Sequence, residues 1–342
     1  MPLKNQHKED QLSKLFKDYV GKCPEKIDQL PNSGSNRKYF RLQNHNFSAI
    51  GVYNPDKKEN IAFIQFTNHF IKHRINVPQV YAQNLNQNIY LINDLGDTQL
   101  LTWLNTIRTG KEFPKQAKTV YKKVLQELVR IQIVADKDFD YSWCYSYSAF
   151  DKESILYDLN YFKKYFVNAL NIKYKNNQLF KDFDLFSNYL LQGTDQYFMY
   201  RDFQARNIML VNGDPYFIDY QGGRKGALQY DLASLLFQAK ANITHEDRDE
   251  LLNYYLKVAR LFIPINRDEF IEKFYAFALI RVLQTLGAYG LRGIIEKKQH
   301  FIESIPNALK NLFFLGERNE ILRHLETLND IIQQIINKEI KS

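Results

Sequence analysis

Cysteine is nearly absent. The 342 residues contain two, Cys23 and Cys144, far apart and outside any CxxC pair. That excludes a disulfide framework and fits a reducing, cytoplasmic compartment. None of the seven histidines falls in an HExxH or other metal-ligand spacing. No apolar run approaches the roughly 18 residues of a membrane span. The N-terminal MPLKNQHKEDQLSKLF lacks the apolar core of a secretory signal. Internal repeats, low-complexity segments and Gly/Ser- or Pro-rich spacers are missing, so no flexible linker separates modules. Basic residues outnumber acidic ones by 46 to 38, but they are scattered. No Lys/Arg block reads as a nucleic-acid arm. Neither nucleic acid nor a membrane is an expected partner, while the +8 charge favours anionic ligands in general.

Aromatic residues are plentiful instead, with 25 Phe and 23 Tyr, many at helical spacing and so candidates for a core. The length predicts about two domains or lobes. Residues 9–20 place Leu12, Leu15, Phe16 and Tyr19 on one helical face. The runs at 38–42 and 47–53 read as strands. Residues 60–75 read as a helix with Phe63, Phe66, Phe70 and Ile71 on one face. Residues 77–94 read as two strands around an Asn-rich turn. Gly96 then breaks the pattern, and Asp97 or Thr98 is placed to cap a helix. Beyond it the chain reads as helical to the end, interrupted at 198–223. The expected boundary lies near Leu95, with a small β-rich part over 1–95 and a large helical part over 96–342.

The interruption carries the polar cluster of the chain. NIMLV and YFIDY are β-favouring runs around NGDP, where Asn-Gly tolerates positive φ and Pro215 favours the return. A hairpin brings the start of its first strand beside the end of its second. Asn207 and Asp219, 12 residues apart, are thereby predicted to meet. An amide oxygen and a carboxylate are hard ligands of the kind Mg²⁺ takes, its remaining positions filled by phosphate oxygens and water. Asp202, five residues before Asn207, is placed to accept a proton from a substrate hydroxyl. The bland alternative makes all three turn, cap and strand-end residues.

RDFQARN resembles the kinase catalytic-loop pattern HRDxxxxN, and IDYQ resembles the metal-binding DFG segment. Tyr200 stands where that pattern has His, and Gln221 where it has Gly. These departures, with YDLASLLFQA at 230–239, are similar to the aminoglycoside phosphotransferase-like family, and within it to bacterial kinases of the anomeric hydroxyl of N-acetylmuramate or N-acetylglucosamine. The resemblance implies an α+β, bilobal protein-kinase-like fold with a small antiparallel sheet lobe and a large helical lobe. It implies an ATP- and Mg²⁺-dependent phosphotransferase with Asp202 as base and Asn207 and Asp219 as metal ligands. It also implies that Asp231 ties down the catalytic-loop backbone; read alone, Asp231 equally suits a helix N-cap.

By the same resemblance, LPNSGSNRKYF covers the nucleotide phosphates through Ser33, Gly34, Ser35 and Asn36, and backbone groups around Asn93, Asp94 and Leu95 meet the adenine. One departure matters. The strand at 47–53 has no lysine, and the helix read as starting at 60 has no glutamate to pair with one. Arg37, Lys38 and Arg41 are the candidates to replace its charge. Arg37 is favoured, because a guanidinium contacts phosphate oxygens bidentately.

For the acceptor, an aromatic-rich stretch at 141–162 offers Trp143, Asp158 and Tyr161, and a glycine-rich one at 286–293 offers Arg292 for a carboxylate. Core packing and solvent exposure are the competing readings. A small molecule, a sugar by resemblance, is the expected partner of a monomer or homodimer. A kinase of an aminoglycoside, choline or another small alcohol, and a nucleotide-binding pseudokinase with a regulatory role, are the alternatives.

Overall fold

A helix and a short sheet open the chain. In this computed structural model, which describes residues 2–31, 36–110 and 112–340, α1 (Pro2–Val20) leads into β1 (Lys26–Gln29), β2 (Lys38–Asn44) and β3 (Phe47–Tyr53). These are followed by α2 (Lys57–Lys72), β4 (Val80–Asn84) and β5 (Ile89–Asn93). The five strands pair antiparallel in the order β1-β2-β3-β5-β4. β1 is the strand the pattern did not announce: KIDQ has one apolar residue and no period to read. α1 covers one face of the sheet with Leu12 and Phe16, while Tyr19 is exposed and stacks on Tyr81. Gly51 in β3 makes that approach possible, since a Cβ there would lie 2.6 Å from Leu42 and 2.9 Å from Leu12.

α2 covers the other face with Phe63, Phe66 and Phe70, leaving Ile71 exposed. It begins earlier than the apolar period indicated. Asp56 is its N-cap, its carboxylate accepting from the N–H groups of Lys58 (3.0 Å) and Glu59 (3.1 Å). Glu59 is therefore part of this helix.

The remaining chain is mostly helical: α3 (Leu100–Ile107), α4 (Lys115–Val129), α5 (Lys152–Phe162) and α6 (Asn176–Leu191) precede the interruption. Within it lie β6 (Tyr197–Met199), β7 (Ile208–Val211), β8 (Asp214–Phe217) and β9 (Arg224–Gly226). Then come α7 (Leu228–Leu236), α8 (His245–Ala259), α9 (Arg267–Tyr289), α10 (Gln299–Ile302), α11 (Ile305–Arg318) and α12 (Glu326–Ile340). α3 is not capped as expected. Its N-cap is Gln99, without a side-chain bond; Asp97 pairs with Arg41 at 2.8 Å instead. α9 packs between α5, α7 and α11. The stretch Arg267–Ile295 is long and apolar enough to cross a membrane, but 72% of its most apolar window is buried within the fold. A helix enclosed on all sides is expected to be apolar on all sides.

β7 and β8 form a hairpin whose turn is Asn212-Gly213, both at positive φ (53° and 83°), as a two-residue hairpin turn requires. Pro215 sits in β8 opposite Leu210 rather than in the turn. β6 pairs with β9 alongside. The two lobes meet through an aromatic layer: Tyr220 stacks on Phe63 of α2 at 5.2 Å, and Phe63 on Tyr90 at 5.2 Å.

Candidate active site

The loop Tyr200–Asn207 is held from below. Asp231, buried inside α7, accepts from the backbone N–H of Tyr200 (2.7 Å) and of Arg201 (2.9 Å) and from Gln132 Nε2 (3.2 Å). It is not the helix cap, a position taken by Ala227. The buried loop donors thus have an acceptor. Burial pushes the Asp231 carboxyl up to about 7, against the donated bonds that favour its charged form. Tyr200, in the histidine position, is itself buried and donates its hydroxyl to the Ile218 carbonyl at 2.5 Å. One side chain thereby links this loop to the residue before Asp219.

Asn207 joins the two carboxylate-bearing segments. Its Nδ2 donates to the Asp202 carbonyl at 2.9 Å and reaches Asp219 Oδ2 at 3.4 Å. The register explains why: Ile208 pairs with Phe217, and the Ile218 N–H donates to the Asn207 carbonyl at 3.0 Å. Asp219 follows just past β8, in the left-handed region at φ 68°, which turns its carboxylate off the strand path. Gln221 Nε2 donates to Asp219 Oδ1 at 2.8 Å. With its amide nitrogen used, Asn207 leaves Oδ1 to pair with the Asp219 carboxylate as a hard-oxygen donor set, of the type a small divalent cation takes. Gln221 Oε1, beside Asp219, is buried without a hydrogen-bond partner among the described residues. The hydration shell of such a cation would supply one. The residues present fit a divalent ion.

The two carboxyl groups are pushed apart electrostatically. Burial raises Asp202, but Arg281, Arg201, Arg206 and Arg224 outweigh it and hold the group below the ordinary value. For Asp219 burial dominates; Arg37 opposes it, Asp202 adds to it, and the group lies above its ordinary value. Arg281 is a residue the sequence reading missed. It projects from α9, buried, with Nη2 3.2 Å from Asp202 Oδ1 and Nε 2.7 Å from Ser234 Oγ. Its signal was available: one guanidinium in the apolar run FALIRVLQTLGAY demands a partner.

On the nucleotide side, Arg37 is buried and forms an ion pair with Glu59, with a second contact to Asp219 at 3.2 Å. Burial alone would lower the Arg37 guanidinium; Tyr39, Asp219, Tyr90 and Glu59 outweigh it and keep it charged. Glu59 also accepts from Asn54 Nδ2 (2.6 Å) and the Tyr145 hydroxyl (3.1 Å). The reading that α2 offers no glutamate is thus corrected, because the helix starts at Lys57. Ser33, Gly34 and Ser35 lie outside the described residues, and Asn36 is exposed. Lys38 is half-buried in β2. Arg41 is engaged away from Asp219, within 2.8 Å of Asp94. Asp94 further accepts from Ser48 Oγ (2.7 Å) and the Gly96 N–H (3.0 Å), and Asn93 Oδ1 from the Gln79 N–H (2.7 Å). These bonds brace the segment between the lobes. Among the described residues neither the N–H nor the carbonyl of Leu95 has a hydrogen-bond partner.

Of the four residues expected at the acceptor, Asp158 and Tyr161 share α5 and Arg292 lies within electrostatic reach of Tyr161, while Trp143 sits in a different cluster. Trp143 packs edge-on against His69 and Phe139, at centroid distances of 6.3 and 6.0 Å. Asp158 is 2% exposed, and both its oxygens accept from Arg201 Nη2 (2.8 and 2.9 Å). It is neither solvent-exposed nor free for a substrate; its charge is needed by the arginine preceding Asp202. Tyr161, one turn along α5, stacks with Tyr157 and packs over Gly287. Arg292 is tied to Glu296 at 2.7 and 2.9 Å.

A bilobal fold with a base-like aspartate beside an Asn/Asp oxygen pair, and a bracing aspartate beneath, defines a phosphoryl-transfer kinase of small molecules. The chain matches the phosphotransferase enzyme family over residues 26–269 and belongs to it. It is 27% identical over 315 residues to the N-acetylmuramate/N-acetylglucosamine kinase of Neisseria meningitidis serogroup B, covering 90% of both chains. It is 22% identical to the protein of that name from Pseudomonas aeruginosa, covering 84% of this chain and 83% of the relative. The fold is shared with the choline kinase of Cryptosporidium parvum (TM-score 0.60, 14% identity, 89% of this chain and 92% of that one). It is also shared with APH(2″)-IIa in its streptomycin–ATP complex (TM-score 0.55, 12% identity, 88% and 95%). The protein is therefore a phosphotransferase with an alcohol group as acceptor.

Proposed function

We propose that the chain transfers the γ-phosphoryl group of Mg²⁺-ATP to the anomeric hydroxyl of an amino sugar, N-acetylmuramate or N-acetylglucosamine, in the cytoplasm. The observation that carries this reading is the Asn207 amide spanning the Asp202 carbonyl and the Asp219 carboxylate. Solved complexes of the fold with ATP, and with AMP-PNP and Ca²⁺, support a nucleoside triphosphate with a divalent cation. The names of the relatives support the sugar.

In this reading Asn207 Oδ1 and Asp219 hold the ion, which when bound neutralises phosphate charge. Arg37 faces the phosphates from the sheet lobe. Leu95 offers its backbone groups to the adenine, with Asn93 and Asp94 bracing them. Asp202, ionised and steadied by Arg281, accepts the hydrogen bond of the acceptor hydroxyl and takes its proton as the phosphoryl group departs. Catalysis of this kind is mostly positioning and charge neutralisation. Tyr161 is retained as an acceptor-side residue, while Asp158 and Asp231 act by positioning. The basic surroundings of Asp202 suit a neutral or anionic acceptor better than a polycation. The regulatory, non-catalytic alternative rests on the absent lysine and on the Tyr200 and Gln221 departures; Arg37 paired with Glu59 speaks against the first of these.

The test is product mass after incubation with ATP and MgCl₂ and a panel of N-acetylmuramate, N-acetylglucosamine, choline and kanamycin. The reading expects a sugar 1-phosphate. Phosphorylation of choline or kanamycin alone would overturn the acceptor, and turnover of nothing in the panel would favour the regulatory alternative.

A further inference from the structure

We propose that Arg224 reads the charge of the acceptor, seating a carboxylate that lies beside the hydroxyl to be phosphorylated. This rests on the sugar-kinase reading above and names what that site selects.

Arg224 begins β9 and pairs with Met199 at the end of β6, three residues before Asp202. One small sheet therefore carries both residues. Its backbone position is tightly set. A Cβ at Gly223 would lie 2.3 Å from the Phe198 ring, and one at Gly226 would lie 2.6 Å from the Met199 sulfur, so β9 presses onto β6 with no slack. The preceding chain is also pinned, because Cys144 Sγ donates to the Gly223 carbonyl at 3.2 Å. The Arg224 side chain is half-buried, with Nε donating to the Gly222 carbonyl (3.1 Å) and the guanidinium 5.4 Å from the centre of the Tyr147 ring.

The other partly or fully buried arginines around this centre have acids. Arg37 has Glu59 and Asp219, Arg201 has Asp158, and Arg281 has Asp202. Arg224 has none: among the described residues no carboxylate lies within 4 Å of it, and its two terminal nitrogens have no hydrogen-bond partner. Burial, and then the neighbouring Arg201, push its guanidinium below the ordinary arginine range. A half-buried cation held near a second cation, with Asp202 felt only at longer range and no carboxylate in ion-pair contact, gains from a ligand that brings an anion. The terminal nitrogens form a planar fork that matches a carboxylate bidentately.

The γ-phosphate is not the better occupant. Arg37 stands at Asp219, on the nucleotide side of Asn207, whereas Arg224 is carried on β9 beside the strand leading to Asp202. An anion on Arg224 therefore belongs to the molecule that Asp202 deprotonates. Among N-acetylated amino sugars, the pair that differs by such a group is the muramate, which carries a lactyl carboxylate, and the glucosamine, which does not. Arg292, the earlier candidate, is already neutralised by Glu296.

Isothermal titration of the full-length protein, loaded with AMP-PNP and Mg²⁺, gives a dissociation constant for each sugar. The proposal expects the muramate to bind about tenfold or more tightly, the contribution of one charge-assisted pair. Arg224→Gln should bring the ratio of the two constants close to one, and Arg224→Lys should keep part of it. A ratio near one in the unmodified protein, no binding of either sugar, or a ratio that survives Arg224→Gln would overturn the proposal. So would a loss of AMP-PNP affinity in Arg224→Gln equal to its loss of muramate affinity, which would place Arg224 on the phosphates. A binding preference without turnover would instead overturn the assigned reaction and leave the carboxylate site standing.

Discussion

Arg37 and Glu59, 22 residues apart, form a buried ion pair between the chain entering β2 and the first turn of α2. Arg37 extends from that pair to Asp219. A cation poised between a helix carboxylate and the carboxylate proposed to hold the metal suits the phosphates in the proposed reading, and the strand β3, FSAIGVY, has no lysine to provide it. Arg37→Ala should lower kcat/KM for ATP by about 100-fold or more, the scale of losing one fixed donor to developing charge. Arg37→Lys should recover part of it. Glu59→Gln should cost less, about tenfold, because Tyr39 and Asp219 still hold the guanidinium. Steady-state kinetics with ATP varied checks all three; an Arg37→Ala enzyme within twofold of the unmodified one would contradict the role.

Asp158 separates positioning from substrate contact. Its removal leaves the Arg201 guanidinium without a counter-charge in a largely buried setting, a loss of about 3–5 kcal/mol for such pairs. Asp158→Asn should lower the melting temperature clearly and reduce kcat through the displaced catalytic loop. KM for the sugar should change little. A raised sugar KM with an unchanged melting temperature would return Asp158 to the substrate.

Asp231 makes a parallel case. Asp231→Ala orphans the N–H groups of Tyr200 and Arg201 and removes one acceptor of the Gln132 amide, which keeps the Leu228 carbonyl. The expected loss is about 2–4 kcal/mol, from buried donors left unsatisfied. Asp231→Asn should lie between, since one amide oxygen still accepts. Thermal denaturation in the absence of ligands reads both.

The hairpin and its three polar residues were legible in the sequence because their signals are local. Asn-Gly has one comfortable turn, and D-x4-N is a fixed spacing on a short loop. The sheet lobe followed from alternation and the helical lobe from period, although α2 was trimmed. Its first turn, KKEN, is polar, so hydrophobic period could not find it; the cap Asp56, three residues before Glu59, was the mark to read. Arg281 and Asp158 were out of reach for another reason. Their partners, Asp202 and Arg201, lie 79 and 43 positions away, and only the packing of α9 and α5 against the loop brings them together. The acceptor face suffered most, since aromatic residues at helical spacing serve a core as readily as a sugar.

Protonation supplies a further test. The Asp219 carboxyl lies above its ordinary value and Asp202 below. A group with a raised pKa keeps its proton to higher pH, so protons compete with the divalent ion at Asp219 before Asp202 loses its charge. Mg²⁺ affinity should weaken as pH falls from neutral through the raised Asp219 value, and added Mg²⁺ should restore activity there. The activation constant for Mg²⁺, followed from neutral pH down into the acid range, checks this; acid inactivation that Mg²⁺ does not relieve would contradict it.

The most direct measurement is a single-turnover assay of Asp202→Asn with Mg²⁺-ATP and N-acetylmuramate or N-acetylglucosamine, paired with nucleotide titration. General-base removal predicts a fall in the phosphoryl-transfer rate of at least about 100-fold. Mg²⁺-ATP affinity should stay within a few-fold, because Asn207, Asp219 and Arg37 are untouched. Transfer at an undiminished rate, or its loss together with nucleotide binding, would contradict the assignment of Asp202 as the base.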